Sequence, residues 1–164
     1  MIFNQIPALI LQEDAALRLL RVRWNGGRNA QLFRQAANQL VEYAQQRGTL
    51  RMLLELDDQP DVPVFDQLWL STTLLPRALR LPVRQLVVIL SGQRIYNRHV
   101  LESLLNQFQT HIRADIQFFT QADPALDWLT GSPAAVAELQ AEWAQHSSYG
   151  TGSVGEIAMR YHLP

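Results

Sequence analysis

The chain has 164 residues, 48% of them apolar and 18% charged, with a net charge of −1. That size and balance fit one globular domain with a terminal extension, and the near-neutral charge leaves no footprint for a nucleic-acid backbone. Cysteine is absent, which excludes disulfides, thiolate nucleophiles and thiolate metal sites.

All 14 basic residues are arginines. They are scattered from Arg18 to Arg160, as compositional bias would scatter them, rather than gathered for bidentate anion contacts. The opening MIFNQIPALILQED lacks the basic stretch and the long apolar run of a signal peptide. No run approaches the roughly 18 apolar residues that span a bilayer. The expectation is a cytoplasmic protein with no integral membrane segment.

Residues 6–12 read as a strand near a sheet edge, because Pro7 has no amide to donate. Glu13-Asp14 makes a tight turn, and 16–24 reads as a second, antiparallel strand. Leu20, Val22 and Trp24 fall on one face; Leu19, Arg21 and Arg23 fall on the other. One face is thus apolar and the other partly wet, which predicts helices mainly on one side. After Asn25-Gly26-Gly27 a helix is expected at about 29–47, with Phe33, Ala37, Leu40, Val41 and Ala44 on its apolar face and Gly48 as its left-handed cap. Leu50–Leu56 is the third strand. A helical connection makes it parallel to the second.

An acidic loop, DDQPDVP at 57–63, leads to a helix at about 63–80. Its buried stripe is expected to be Phe65, Leu68, Trp69, Thr72, Leu75 and Leu79, with Pro76 kinking or interrupting it. Residues 84–91 hold consecutive apolar residues, as in a central strand covered on both faces. A helix at about 97–111, a strand at 114–120, and a short helix opened by Asp123-Pro124 and ended by Gly131 follow. The fold class is α/β: a mixed five-stranded sheet, order ββαβαβαβα, in a domain of residues 1–131. Residues 132–164 read as a C-terminal extension, with a helix at 133–146, a small, flexible stretch at 147–155 and a short apolar end.

Few motifs carry chemistry. Gly150, Gly152 and Gly155 match a dinucleotide-binding pattern, but no strand precedes them, so they read as a linker. His99, His111, His146 and His162 lack the spacing of a zinc helix. Ser71, Thr72 and Thr73 lie mid-helix, where hydroxyls bond back to the preceding turn. No cofactor or metal site is expected. Asp57, Asp58, Asp61 and Asp66 form the best polar cluster, at the carboxyl end of a parallel strand where α/β folds bind ligands. Capping, solvation, cation binding and acid–base catalysis all remain open for them. Trp24, Trp69 and Trp128 read as core residues at element ends, or as the lining of a pocket.

Several segments carry a resemblance. They are Val22-Arg23-Trp24-Asn25-Gly26, Leu54-Glu55-Leu56-Asp57, Asp66-Gln67-Leu68-Trp69-Leu70 with Pro76-Arg77-Ala78-Leu79, and Leu126-Asp127-Trp128-Leu129. Together they resemble the STAS fold of anti-sigma-factor antagonists, and more closely the SpoIIAA-like (STAS/SEC14-type) proteins, over about residues 6–130. The resemblance implies a STAS-like sheet and a non-catalytic role in signalling or regulation by protein contact. Phosphorylatable members have a serine after the aspartate that opens the second helix. Here Gln67 follows Asp66, and no serine or threonine lies between Leu50 and Leu70.

The leading expectation is therefore a non-enzymatic interaction domain. Its contact surface is the 57–66 loop and second helix, with a protein partner or self-association, in which Trp143 and Tyr161 of the tail could cover a neighbour's open sheet face. The first alternative is a small apolar or amphipathic ligand held between sheet and helices by Trp24, Trp69 and Phe65. The second is an enzyme using Asp57 or Asp58.

Overall fold

The computed structural model describes residues 1–29 and 31–160, with side chains described as far as Ser147. Six strands form one mixed sheet in chain order: β1 (Ile2–Phe3), β2 (Leu9–Asp14), β3 (Leu19–Trp24), β4 (Arg51–Glu55), β5 (Gln85–Ile89) and β6 (Asp115–Phe119). β1, β2 and β3 are antiparallel neighbours, and β3 to β6 run parallel.

The α/β class holds, and the strand number is corrected from five to six. β1 pairs Ile2 with Gln12 and Phe3 with Leu11. Two residues are too few to leave an alternating pattern in the sequence. β2 is consequently not an edge strand. Pro7 lies in the turn before it, where the Leu9 amide bonds the Ile6 carbonyl at 3.1 Å. The hairpin turn is also displaced. Glu13 and Asp14 belong to β2, and Ala15–Arg18 make the link, with Asp14 Oδ1 accepting from the Leu17 amide at 3.0 Å.

Gly26 has a steric role at the end of β3. The Trp24 ring folds over it and donates from Nε1 to the Gly27 carbonyl at 2.9 Å. A Cβ on Gly26 would stand 2.4 Å from the ring and 2.9 Å from Ala8 Cβ. Helix α1 (Gln31–Arg47) then crosses one sheet face, with Ala36 and Ala44 packed against Leu20, Val22, Trp24 and Met52. The expected Gly48 cap is present, with φ +60.

Helices on mainly one face are not what the chain builds. Leu19, Leu53, Val87 and Ile89 point to the opposite face, and there they meet Ala125, Leu126 and Leu129 of α5 (Ala122–Thr130) and Leu139 of α6 (Pro133–Arg160). The face that Arg21 and Arg23 made look wet is covered by the C-terminal segment. Arg21 is only 1% exposed. Its guanidinium donates to Glu55 Oε1 at 2.6 Å and to Gln140 Oε1 at 2.7 Å, and Arg23 Nε donates to Glu55 Oε2 at 2.9 Å. The Trp143 ring lies over both guanidiniums, 3.9 Å from Arg21 and 4.8 Å from Arg23. Trp143 thus covers its own sheet rather than a neighbour's, while Tyr161 lies outside the described residues.

Two helix boundaries are corrected. Asp123 does not cap α5 but sits in its first turn, where it accepts from Gln140 Nε2 at 2.6 Å. Residues 147–155 are not a loop, because α6 runs unbroken to Arg160 and takes Gly150, Gly152 and Gly155 into its backbone. A helix already nucleated and packed over its first half extends at little cost per residue, which offsets glycine's poor propensity.

The segment after the acidic loop forms α2 (Val64–Trp69), a π-helical turn (Leu70–Leu74) and α3 (Leu75–Ala78). The wide turn is how the chain admits Pro76. A proline ring cannot sit against the carbonyl four residues back, and the Leu75 amide reaches instead to the Leu70 carbonyl, five back. No residue of these three pieces is fully buried, and Phe65, Leu68 and Thr72 are exposed, so the expected buried stripe is not formed.

Two predictions follow from the polar links. Glu55→Gln leaves the buried Arg21 without its counter-charge, and urea unfolding should show a loss of about 3–5 kcal/mol; a loss under about 1 kcal/mol would count against a structural role for the pair. The second concerns Glu13, which joins β2 to the end of α1 through Tyr43 and Arg47. Burial raises the Tyr43 hydroxyl and the Glu13 bond adds to it, to about 12 from an ordinary 10.0. Burial also pushes the Glu13 carboxyl up, but the bonds from Arg47 and Tyr43 outweigh it, leaving the carboxyl below its ordinary 4.5. The Tyr43 contribution is therefore complete below pH 10 and is lost as pH rises towards 12. The Glu13 contribution is present above pH 4.5 and lost as pH falls below it. Phenolate absorbance, compared with Tyr43→Phe, should show one tyrosine titrating last; ionisation of Tyr43 near 10 would refute the link.

Candidate functional site

β4 and β5 end side by side, and the Leu56 amide still bonds the Ile89 carbonyl at 3.1 Å. Beyond them the 57–63 loop is tied to the start of α4 (Ile95–Gln107). Asp57 Oδ1 accepts from the Ser91 amide at 2.6 Å, linking the loops that follow the two strands. Asn97, buried in the first turn of α4, does most of the bracing. Its Oδ1 accepts from the Val62 amide at 3.1 Å, and its Nδ2 donates to the Gln59 and Pro60 carbonyls at 3.2 and 3.1 Å. Arg94 donates to the Gln59 carbonyl as well. The Val62 carbonyl takes the Tyr96 hydroxyl at 3.0 Å and Gln67 Nε2 at 2.9 Å. Gln67 also reaches the Tyr96 oxygen at 2.8 Å, which joins α2 to α4. A loop with its inner polar groups bonded this way is a fixed platform.

The seven residues singled out from sequence take different places. Asp57 is held by the Ser91 amide. Asp61 is mostly exposed, with its carboxylate 3.6 Å from Arg94. Asp66 accepts from Arg34 Nε at 2.6 Å, and Arg34 also reaches the Phe65 carbonyl at 3.3 Å. Asp58 is exposed and has no bonding partner among the described residues. Trp69 is half-buried beneath Arg34, 5.4 Å from its guanidinium, and meets Phe33 edge to face at 6.1 Å. Trp24 is in the core and Phe65 is 81% exposed, so those two do not line one interior space. Ser71 and Thr72 bond back to the Leu68 carbonyl at 2.9 and 2.8 Å, as mid-helix hydroxyls do.

The platform carries an apolar patch. The sequence predicts a contact surface on the second helix, but with Phe65 and Leu68 buried, whereas both are exposed. Among the described residues six large hydrophobic side chains are exposed, and five are here: Val64, Phe65 and Leu68 on α2, Ile95 and Tyr96 on α4, at 44% to 81% exposure. α2 and α4 are neighbours here through the Gln67–Tyr96 bond, and exposed apolar side chains gathered on adjoining elements mark a contact surface more often than isolated ones do. The sequence signal for it was present but ambiguous. Periodicity showed an apolar face on residues 63–80 without showing that no part of the sheet would cover it.

Two concavities lie elsewhere. One of about 150 Å³ is bounded by Glu13, Arg18, Arg47 and Thr49, and an open groove of about 530 Å³ runs between α5 and α6 past Asp123, Val136 and Gln140. Neither touches any of the seven. Among the described residues no cluster of three or more metal-ligating side chains occurs, and no helix is long and apolar enough to cross a membrane.

The bracing role of Asn97 is open to test. Asn97→Ala strands the Val62 amide and the Pro60 carbonyl and leaves the Gln59 carbonyl to Arg94 alone, and should cost about 1–3 kcal/mol. Hydrogen exchange at the Val62 amide should speed up while exchange in the sheet core changes only in proportion to global stability; an unchanged Val62 rate would show that the loop holds itself.

Comparison of the chain with protein-family models, curated proteins and solved structures finds no match to any of them.

Proposed function

We propose that this chain is a non-catalytic interaction domain of STAS-like type that binds a protein through the Val64–Leu68 and Ile95–Tyr96 patch. The observation that carries the reading is the concentration of exposed apolar side chains on one braced platform. A rigid platform suits binding, because little order has to be gained on contact. The ββαβαβαβα succession from Leu9 to Thr130 supports the STAS-like part of the reading. The position after Asp66 is consistent with a domain that works without a phosphoswitch, since Gln67 there serves as a brace between α2 and α4. A non-catalytic role is supported by the engagement of Asp57, Asp61 and Asp66 with the Ser91 amide, Arg94 and Arg34.

Site-specific photo-crosslinking in the cell that makes the protein tests the reading. A photoreactive side chain at Phe65 or Ile95 should give a discrete adduct with one protein, while the same group at Gln109, exposed on another part of the surface, should not. The absence of a discrete adduct from both patch positions would overturn it.

A further inference from the structure

We infer that the patch accepts a cationic amphipathic helix of a partner protein, an inference that rests on the patch being an interface. Three observations select this occupant.

The first is the state of the backbone. The Val62 amide and carbonyl and the Gln59 and Pro60 carbonyls are already bonded by Asn97, Tyr96, Gln67 and Arg94. This platform therefore offers no free ladder to an incoming strand, and strand addition draws its affinity from such a ladder. A partner segment must bring its own backbone bonds, which a helix does.

The second is the spacing of the apolar groups. Val64, Phe65 and Leu68 present one side of α2, and Ile95 and Tyr96 present the start of α4, joined by the Gln67–Tyr96 bond. Apolar groups on two adjoining helices can meet the apolar face of a third.

The third is charge. Asp57, Asp58 and Asp61 lie in the loop that leads into the patch and Asp66 on α2 itself, against Arg34 and Arg94, which are paired with Asp66 and Asp61. The nearby Arg98 is paired with Glu102. The rim is net negative, with Asp58 unpaired among the described residues. Arginines flanking an apolar stripe match it, since a guanidinium can take a carboxylate with two parallel bonds. A second copy of this chain would bring carboxylates against carboxylates, and an anionic membrane surface would be repelled.

Two synthetic helical peptides with the same leucine–phenylalanine face test this, one flanked by arginines and the other by glutamates. Fluorescence anisotropy with the full chain should show the arginine peptide binding at least about tenfold tighter at low salt, with the difference shrinking as salt rises. The double variant Asp58→Asn/Asp61→Asn removes no buried contact and should weaken the arginine peptide several-fold while leaving the glutamate peptide unchanged or tighter. Phe65→Ser should abolish binding of both. Equal affinity for the two peptides, still lost in Phe65→Ser, would overturn the charge preference and leave the interface standing. Binding indifferent to Phe65→Ser would overturn the interface itself. Self-association that vanishes in Phe65→Ser would make a second copy the occupant and overturn the inference in that way.

Discussion

Arg21 must stay charged where water does not reach. Burial lowers its affinity for the proton, and Glu55 opposes that, but an arginine stays protonated at any ordinary pH. The charge therefore needs partners, and the fold supplies them to the two terminal nitrogens of Arg21, while its Nε is buried with no partner among the described residues. The parallel register of β3 and β4 places Arg23 opposite Glu55 and sets Arg21 diagonally within reach of the same carboxylate. α6 supplies Gln140 and the Trp143 ring, and Gln140 passes the connection on to Asp123 of α5. Gln12 of β2, also buried, donates to the Leu139 carbonyl at 2.8 Å and to Glu142 at 3.0 Å. A misplaced α6 would cost Arg21 its Gln140 bond and the Trp143 ring, so these contacts set where the last helix can lie.

The two faces of the sheet use different means. The α1 face is closed mainly by apolar packing around Leu20, Val22 and Met52, with Glu13 tying the end of β2 to Tyr43 and Arg47 of α1 at its margin. The other is apolar towards β5 and α5 and polar towards β2 and β3, and there directed bonds reach into the buried interior. Apolar packing tolerates small shifts of a helix; a buried guanidinium between two acceptors and a ring does not. The carboxyl end of the sheet shows a third arrangement, with α2, α3 and the π turn lying on the molecule without a fully buried residue. Its loop is braced by polar bonds, and its apolar side chains are left outward. Rigid backbone beneath exposed hydrophobic surface is the combination that makes this end the candidate for recognition.

Much of the site was legible as a place and little of it as an arrangement. The acidic loop, its position after a parallel strand and the amphipathic helix beyond it could all be read from residues 50–80. Which side of that helix faced inward could not. Phe65 and Leu68 fit a buried stripe as well as Trp69 does, and periodicity describes a face without naming what lies opposite. Asn97 left no signal at all, because an asparagine in a helix's first turn is ordinary until a loop is found folded over it. Arg21 and Arg23 misled in the other direction. Charged residues alternating with apolar ones marked a wet face, and no local pattern shows that a helix more than 100 residues later covers them.

From Leu9 to Thr130 the succession of strands and helices, the parallel pairing of β3 with β4, the cap at Gly48 and the disturbance at Pro76 are written in local pattern. They follow from the period of apolar residues, the left-handed tolerance of glycine and the missing amide of proline, all properties of a few neighbouring residues. The burial of Arg21, the second covered face, the continuation of α6 through three glycines and the outward turn of Phe65 emerge only when the chain is assembled. Each depends on what a distant segment brings to the same space, and burial, unlike periodicity, belongs to the whole fold.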